Sequence, residues 1–598
     1  MLVFIYFKIK TQMKFGKTIF FFLVLQLSFA QTIPTARRVD WTLAGNKSFV
    51  EPSIVINFQT SGGDNTGVTS NDVIMTNVLN SIGVSGAIIY FPNGTYLFNQ
   101  SIVLKTNVIL KGETVNGTFL KFDLGGTNNA IQIQGTQTSI ETSLTQNASI
   151  TTNSIQVTDA SSFLVGDFVK LSDDDTAKVT SSWAIGTTGQ VLKIISINSN
   201  QITFSSPLRR DYLLINTPKV TKLNMLKNVG VENLSLERVD ATTAQTSNIN
   251  INRGVDIKIS CVKSIKTNFA HVSINNATNV VVEGSYFQDG LDYGNGGKAY
   301  GVVLQNTSGE CLIYNNIFSH LRHSVLLQSG SNGNVISYNY SRDPYWTGVA
   351  LPSNSAGDLV LHGNYPYSNL FEGNIVQNIV IDDSHGSNGP YNTFHRNRGE
   401  LYGIFMNNNP ASNNQNFSSN EITNTGFLLG NYTLSGSGHY QYNNNKNNTI
   451  LPSGTTSLTP NSYYLSSSPL FYSTNSNWPP IGNASNYNVY LNESKYRYLN
   501  TELTRCSTNE TLSILDLNFV KDLLVFPNPV YDYVTFISED QISKVELFDL
   551  NGQLLKQFEV SMESNNFTLD CRDIISGIYL LKVHKNEGEV VIKKIIKK

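Results

Sequence analysis

The feature that most constrains this chain is a recurrence of about 23 residues between Ser260 and Asn448. Short segments of one type return: Glu283-Gly284-Ser285-Tyr286-Phe287, Tyr314-Asn315-Asn316-Ile317-Phe318, Ser337-Tyr338-Asn339-Tyr340-Ser341, Glu372-Gly373-Asn374-Ile375-Val376 and Ser419-Asn420-Glu421-Ile422-Thr423. Their starts are 31, 23, 35 and 47 residues apart, the last step being two coils with His395-Arg396-Asn397-Arg398 between them. Asn and Gly mark the corners, and apolar residues fill the short runs between. A repeat of this length that reads as strand cannot bury its apolar face alone, but stacked on its neighbours it forms a solenoid of parallel coils. Side chains one period apart then stand about 4.8 Å from one another, so a flat face can align polar residues along a linear polymer.

At 598 residues the chain exceeds one ordinary compact domain, which predicts a large solenoid with smaller modules. A net charge of −2, with few charged residues, argues against a broad electrostatic grip on nucleic acid. The 28 Tyr and 31 Phe can pack inside coils or stack on sugar rings. Met13-Lys14-Phe15-Gly16-Lys17, the apolar run Ile19 to Leu27 and Ser28-Phe29-Ala30 read as a signal peptide over residues 1–30. That run is short for a membrane span, and no other segment is long enough to be one. Cys261, Cys311, Cys506 and Cys571 lack metal-type spacing; pairing and buried free thiols both remain open.

Residues 31–135 read as an N-terminal cap and first coils. They contain Gly62-Gly63-Asp64-Asn65-Thr66-Gly67, a helix ending at Ile82, Tyr90-Phe91-Pro92-Asn93-Gly94-Thr95-Tyr96, and Val108-Ile109-Leu110-Lys111-Gly112. This stretch resembles the opening of the pectate lyase-like superfamily, with Asn71-Asp72 a partial match to its acidic pair. The resemblance implies an all-β, right-handed parallel β-helix whose open end is covered by a short helix, which hides strand edges. Residues 136–216 alternate with period two in Ile155-Gln156-Val157-Thr158 and Val165-Gly166-Asp167-Phe168-Val169, and read as an inserted antiparallel β-subdomain with a structural role. The main coils occupy 217–500 and a linker 501–522.

Residues 523–598 carry Phe526-Pro527-Asn528-Pro529, Val545-Glu546-Leu547-Phe548-Asp549-Leu550-Asn551-Gly552 and Ser576-Gly577-Ile578-Tyr579-Leu580 before a basic end. Their alternation and Asn-Gly turn suit a small β-sandwich. They resemble the C-terminal sorting domain of the type IX secretion system. That implies passage through the periplasm and across the outer membrane of a Bacteroidetes-type bacterium, to the surface or beyond, with the secretion machinery as a partner.

Stacking the coils aligns Leu304-Gln305, Leu327-Gln328, Leu361-His362, Ile381-Asp382 and Phe405-Met406, so that Asn275, Gln305, Gln328, His362 and Asp382 form one row. A second row holds Asp289, His320 and Asp343. The amides alone suit a structural ladder. The histidines need more explanation: His320, His323, His362, His385 and His395 lie within 76 residues, with Arg322, Arg342, Asp343, Asp358, Asp382 and Asp383 among them and Arg396 and Arg398 just beyond. The candidate catalytic set is therefore His362, Asp382, Asp383, His385, His320, Arg322, His323 and Asp343. Arg342, Tyr345, Trp346, Arg396 and Arg398 are candidates for holding substrate.

Two reactions on a polysaccharide fit these side chains. In β-elimination on a uronate polymer, a cation neutralises the carboxylate and a basic side chain removes the C5 proton. Asp289, Asp343, Asp382 and Asp383 offer oxygen ligands to Ca²⁺ for that role. In hydrolysis, two carboxylates flank the glycosidic bond, although strand neighbours such as Asp382 and Asp383 point to opposite faces. The polygalacturonase motif set is incomplete here and the pectate lyase Trp-Ile-Asp-His signature is absent. The reading is a secreted, monomeric polysaccharide lyase on an acidic glycan; a glycoside hydrolase or a non-catalytic glycan-binding adhesin is the alternative.

Overall fold

The computed structural model describes residues 32–46, 48–348, 356–472, 478–482, 487–506, 524–526, 530–537, 542–549, 553–559, 566–585 and 590–598. The signal-peptide reading at 1–30, most of the 501–522 linker, and the Pro527-Asn528-Pro529 and Asn551-Gly552 turns lie outside these residues. The chain divides into two units, Met1–Glu510 and Thr511–Lys598.

The first unit is a parallel β-helix. A typical coil contributes one short strand to each of three parallel sheets. The strands Leu312–Tyr314, Ile317–Ser319 and His323–Leu327 of one coil lie under Val335–Ser337, Tyr340–Arg342 and Leu359–Leu361 of the next. The corner between the first and second sheets is turned by a residue in the left-handed region: Gly284, Asn315, Tyr338, Gly373, Arg396, Ser419 and Asn443 recur there with φ between 50° and 71°. This is why Asn and Gly punctuate the repeat, since they occupy that region at least cost. At Gly284 a second reason applies, because a Cβ would stand 2.3 Å from the Arg505 carbonyl of the covering C-terminal segment.

Register stacks like on like. In the first sheet Ile89, Leu110, Val231, Ile259, Val282, Ile313, Ile336, Phe371, Phe394 and Phe417 form one buried column. The last three rings stack at 4.7 and 5.2 Å. Directly after each left-handed corner residue, Asn316, Asn339, Asn374, Asn397, Asn420 and Asn444 turn inward as a ladder. Each side-chain oxygen accepts from the amide of the rung before it, and each side-chain NH₂ donates to the rung after it or to a backbone carbonyl. Buried polar groups are thereby satisfied at every step.

Helix α1 (Asp72–Ser81) buries Met75, Val78 and Leu79 over the first coil and so covers its open end. After the third-sheet strand Ile131–Gln134 the chain leaves the coils as a six-stranded antiparallel sheet, from Thr136–Ser143 to Lys219–Asn224. This insert has its own core around Val169, Leu171, Ile194 and Phe204. It lies along the corner after the third sheet. There Thr307 donates to the Thr187 carbonyl, Arg209 pairs with Glu310, and Tyr367 donates to the Gly189 carbonyl at 2.9 Å.

A segment ending in helix α2 (Glu493–Leu499) covers the corner between the first two sheets, where Arg497 donates to the Asn315 carbonyl at 2.6 Å. Cys261 and Cys506 form a disulfide, while Cys311 and Cys571 are free and buried. The second unit is antiparallel. Leu524–Phe526, Tyr533–Ile537 and Asn566–Asp570 make one sheet, and Leu554–Glu559, Ile542–Phe548, Gly577–Lys585 and Val590–Lys597 the other. Val534, Phe536, Val545, Leu547, Leu581 and Val583 fill its core.

Candidate active site

The third sheet carries the site. Its inward positions are apolar: Ile274, Leu304, Leu327, Leu361, Ile381 and Met406 pair in succession. The next residue of each coil turns outward by the alternation of a strand. The outward row is therefore Asn275, Gln305, Gln328, His362, Asp382 and Asn407. The pairing of Met406 with Ile381 corrects the alignment of Phe405 with Ile381 by one residue, because the Gly399 to Gly403 stretch has two more residues than the coil beneath it. Gln328 donates to Gln305, and Gln305 donates to Asn275 at 2.9 Å. These amides bond to one another along the row, and the imidazole and the carboxylate are its reactive part.

His362 Nδ1 faces Asp382 Oδ2 in a hydrogen-bonded pair whose carboxylate is wholly buried and whose imidazole side chain is 12% exposed. The other carboxylate oxygen accepts from the Ser384 amide at 3.0 Å. An ionised carboxylate only accepts, so Nδ1 carries the proton and the Nε2 lone pair points away from Asp382.

Other rings extend this pair in both directions. On one side lies His323, with a ring separation of 5.7 Å, and beyond it Tyr300 at 4.8 Å. On the other side lies His385 at 4.9 Å, edge-on to His362, and beyond it Trp183 at 5.4 Å. His323 is held neutral, its pKa pushed well down by burial, by the Arg322 guanidinium and by the neighbouring His362 ring; its Nδ1 meets the Gly357 carbonyl at 2.9 Å. Burial, then proximity to His362, also lowers His385, whose Nδ1 lies 3.2 Å from Ser181 Oγ. Arg322 sits over both Tyr300 and Trp346 and donates to the Gly294 and Gly296 carbonyls.

A second cluster stands at the corner before the third sheet. His320 Nδ1 pairs with Asp343 Oδ2 at 2.7 Å, and its ring stacks on Tyr345 at 4.7 Å and meets Tyr293 at 5.0 Å. Asp289, His320 and Asp343 share one left-handed turn position on successive coils, with φ of 62°, 52° and 55°.

The remaining expected residues lie elsewhere. Asp383 turns away from Asp382 and accepts from the Asn409 amide at 2.7 Å. Arg342 donates to the Tyr498 hydroxyl, and Arg396 to the Pro460 and Ile481 carbonyls at 2.9 and 2.7 Å. Arg398 is buried against Glu421 at 2.8 Å. These arginines leave the first-to-second-sheet side of the coil, where the C-terminal segment covers them, so they brace that segment and do not meet the third-sheet face. His395 is buried there too, facing the Pro460 carbonyl at 3.0 Å. Asp289, Asp343, Asp382 and Asp383 do not converge, and among the described residues no three His, Cys, Asp or Glu side chains form a metal cage. Reading the sequence missed Trp183 and Ser181, which lie about two hundred residues before His385 and reach it only through the fold of the insert.

Residues 55–206 match the family described as rhamnogalacturonase A/epimerase, pectate lyase-like, and residues 524–598 match the secretion system C-terminal sorting domain. The first unit has the parallel β-helix fold, its residues 55–206 are similar to the pectate lyase-like family, and the type IX sorting domain at the end of the chain marks the protein for export to the cell surface or outside. No described helix is long and apolar enough to cross a membrane. A capsule K1-specific depolymerase of Klebsiella phage K64-1 is 24% identical over 253 residues, 40% of this chain and 28% of that one. The chain thus spans less than a third of that relative's length. The tailspike protein gp49 of Pseudomonas phage LKA1 aligns with a TM-score of 0.46 and 12% identity, covering 65% of this chain and 64% of that one. The A-module of the Azotobacter vinelandii mannuronan C-5 epimerase aligns with a TM-score of 0.32 and 12% identity, covering 65% and 91%.

Proposed function

We propose that this exported protein cleaves an acidic polysaccharide by β-elimination, with His362 as the base. The observation that carries the reading is the His362–Asp382 pair, set in a row of outward side chains on a flat sheet face. The buried carboxylate keeps the Nε2 lone pair outward and stabilises the imidazolium that forms when a proton is taken. Nε2 removes the C5 proton of a uronate residue. The C5–H electron pair becomes the C4–C5 double bond, the C4–O4 bond breaks, and the departing O4 takes up a proton. His385, kept neutral by burial, and Ser181 flank the pair as hydrogen-bonding groups for sugar hydroxyls. The similarity of the chain to a capsule depolymerase agrees with a glycan substrate.

Hydrolysis by two carboxylates has less support. Both Asp382 oxygens are engaged, and Asp383 is turned toward Asn409. The deciding experiment incubates the full chain with a panel of uronate polymers and follows ultraviolet absorbance of the unsaturated product together with new reducing ends. A rise in both supports elimination. Reducing ends without absorbance assign hydrolysis, and silence in both leaves a glycan-binding protein.

A further inference from the structure

The ring run on the third sheet does not end on the coils. Its last member, Trp183, belongs to the insert, on a one-turn 3-10 helix at Ser182–Ala184. The indole is 51% exposed, and Ile185 two residues on is 56% exposed. The turn that presents it is held firmly at both ends. At its start, the Thr180 and Ser181 amides donate to Asn364 Oδ1 at 3.0 and 3.1 Å, which ties the insert to the coil. At its end, Asp175 accepts from the Gly186 and Thr188 amides at 2.7 and 2.8 Å. The Lys170 ammonium caps the Gly186 carbonyl at 2.6 Å, and burial, with help from Arg253, pushes its pKa down to about 8. Asp173 is paired with Arg210 inside the loop. Asp173 and Asp175 are thus turned inward, Asp174 stays exposed at the start of the loop, and Trp183 and Ile185 are the apolar side chains the turn shows to solvent.

We propose that Trp183 is a sugar-stacking subsite: the insert extends the cleft, and the indole takes the apolar face of a pyranose ring of the polysaccharide being cleaved. The inference rests on the proposed function and adds a substrate position to it. Its geometric basis is continuity with the candidate site, since His385 stands between His362 and Trp183 at ring separations of 4.9 and 5.4 Å. A pyranose is a good occupant because its axial C–H face is apolar while its edge hydroxyls can meet Ser181 and His385. An uncharged indole recognises ring shape and leaves the carboxylate to be read elsewhere. The insert therefore sets how many sugars are held, and long chains gain from it where short ones cannot reach it.

The test is calorimetric titration of the full chain with di- to octasaccharides of polygalacturonate and of alginate. It is done in a His362→Ala background to stop turnover, with and without Trp183→Ala. The expected result is that the longer oligosaccharides bind about tenfold more weakly when Trp183 is removed, while disaccharide binding is unchanged and Trp183→Phe recovers part of the loss. Equal affinities with and without Trp183 at every length, or no binding of any oligosaccharide to either chain, would overturn the subsite. The two proposals fail separately. Trp183-dependent binding with no unsaturated product from the unsubstituted chain sinks the elimination and leaves the subsite. Elimination that is equally fast with Trp183→Ala at every length sinks the subsite and leaves the elimination.

Discussion

Asp382→Asn is the most informative perturbation, because the structure fixes what the new amide must do. Asp382 accepts on both sides, from the Ser384 amide at 3.0 Å and from His362 Nδ1. An Asn side chain has one acceptor and one donor end. If its oxygen keeps the Ser384 N–H, its NH₂ faces His362 Nδ1, which must then accept. The imidazole switches tautomer, Nε2 carries the proton, and the outward lone pair is gone. The reverse orientation sets NH₂ against the Ser384 N–H in a buried site, leaving a donor unmet at a cost of about 1–3 kcal/mol. The wrong tautomer is therefore the favoured state, and the charge that stabilised the imidazolium is lost with it. Loss of a positioned base of this kind costs about 10²–10⁴ in rate, or about 3–5 kcal/mol in the barrier. The assay is the initial rate of unsaturated product on whichever uronate polymer the full chain cleaves, with circular dichroism and a thermal melt beside it. The expected outcome is that kcat falls by that factor with KM nearly constant and the melt little changed. A folded Asp382→Asn protein with kcat within about threefold of the parent would refute the role of the pair.

Three further outcomes follow from the same physical reasoning. Asn374→Leu removes an inner ladder rung that accepts from the Asn339 amide and side chain at 3.0 Å each, so it leaves two buried N–H groups unmet. A loss of about 2–5 kcal/mol is expected, read as a lower unfolding midpoint and faster hydrogen exchange at Asn339. Arg398→Ala strands the buried Glu421 carboxylate and is expected to destabilise by about 3–5 kcal/mol while elimination per folded molecule is unchanged. Burial raises Glu372 to about 7 and Asp358 to about 6, so the folded chain holds protons that the unfolded chain would release. The stability these groups contribute is fully present below about pH 4 and is lost as pH rises through about 6 and then 7, about 3 kcal/mol for each group. The difference in melting temperature between the parent chain and Glu372→Gln, measured from acid to neutral pH, should follow that slope; a difference independent of pH would show that Glu372 does not take up a proton on folding.

Much of the β-helix is local chemistry repeated, which is why it can be read from the chain. Asn315, Gly373 and Asn443 are residues that tolerate a left-handed corner, and Asn316, Asn374 and Asn444 behind them complete the inner ladder. Because stacked coils keep register, aligning Leu304, Leu327, Leu361 and Ile381 was enough to bring Gln305, Gln328, His362 and Asp382 into one row. The same alignment slipped at Met406, where the coil gains two residues around Gly403 and no local signal marks the gain.

What the sequence by itself determined is therefore the periodic part: coils, corners, the polar row, and the sorting domain at the end of the chain. What only the tertiary structure decided is which charged residues face the cleft. Arg342, Arg396 and Arg398 look like substrate ligands in a charge-poor chain, yet the segment ending in Glu493–Leu499 folds back over their corner and uses them as braces. Trp183 and Ser181 carry no repeat signal, yet the insert packs along the corner of the third sheet and delivers them to His385. The physical reason is the range of the interactions. A period of about 23 residues reports contacts between adjacent coils. An insert and a C-terminal cover dock by shape and hydrogen bonding over separations of about two hundred residues, or of about a hundred, that leave no period behind.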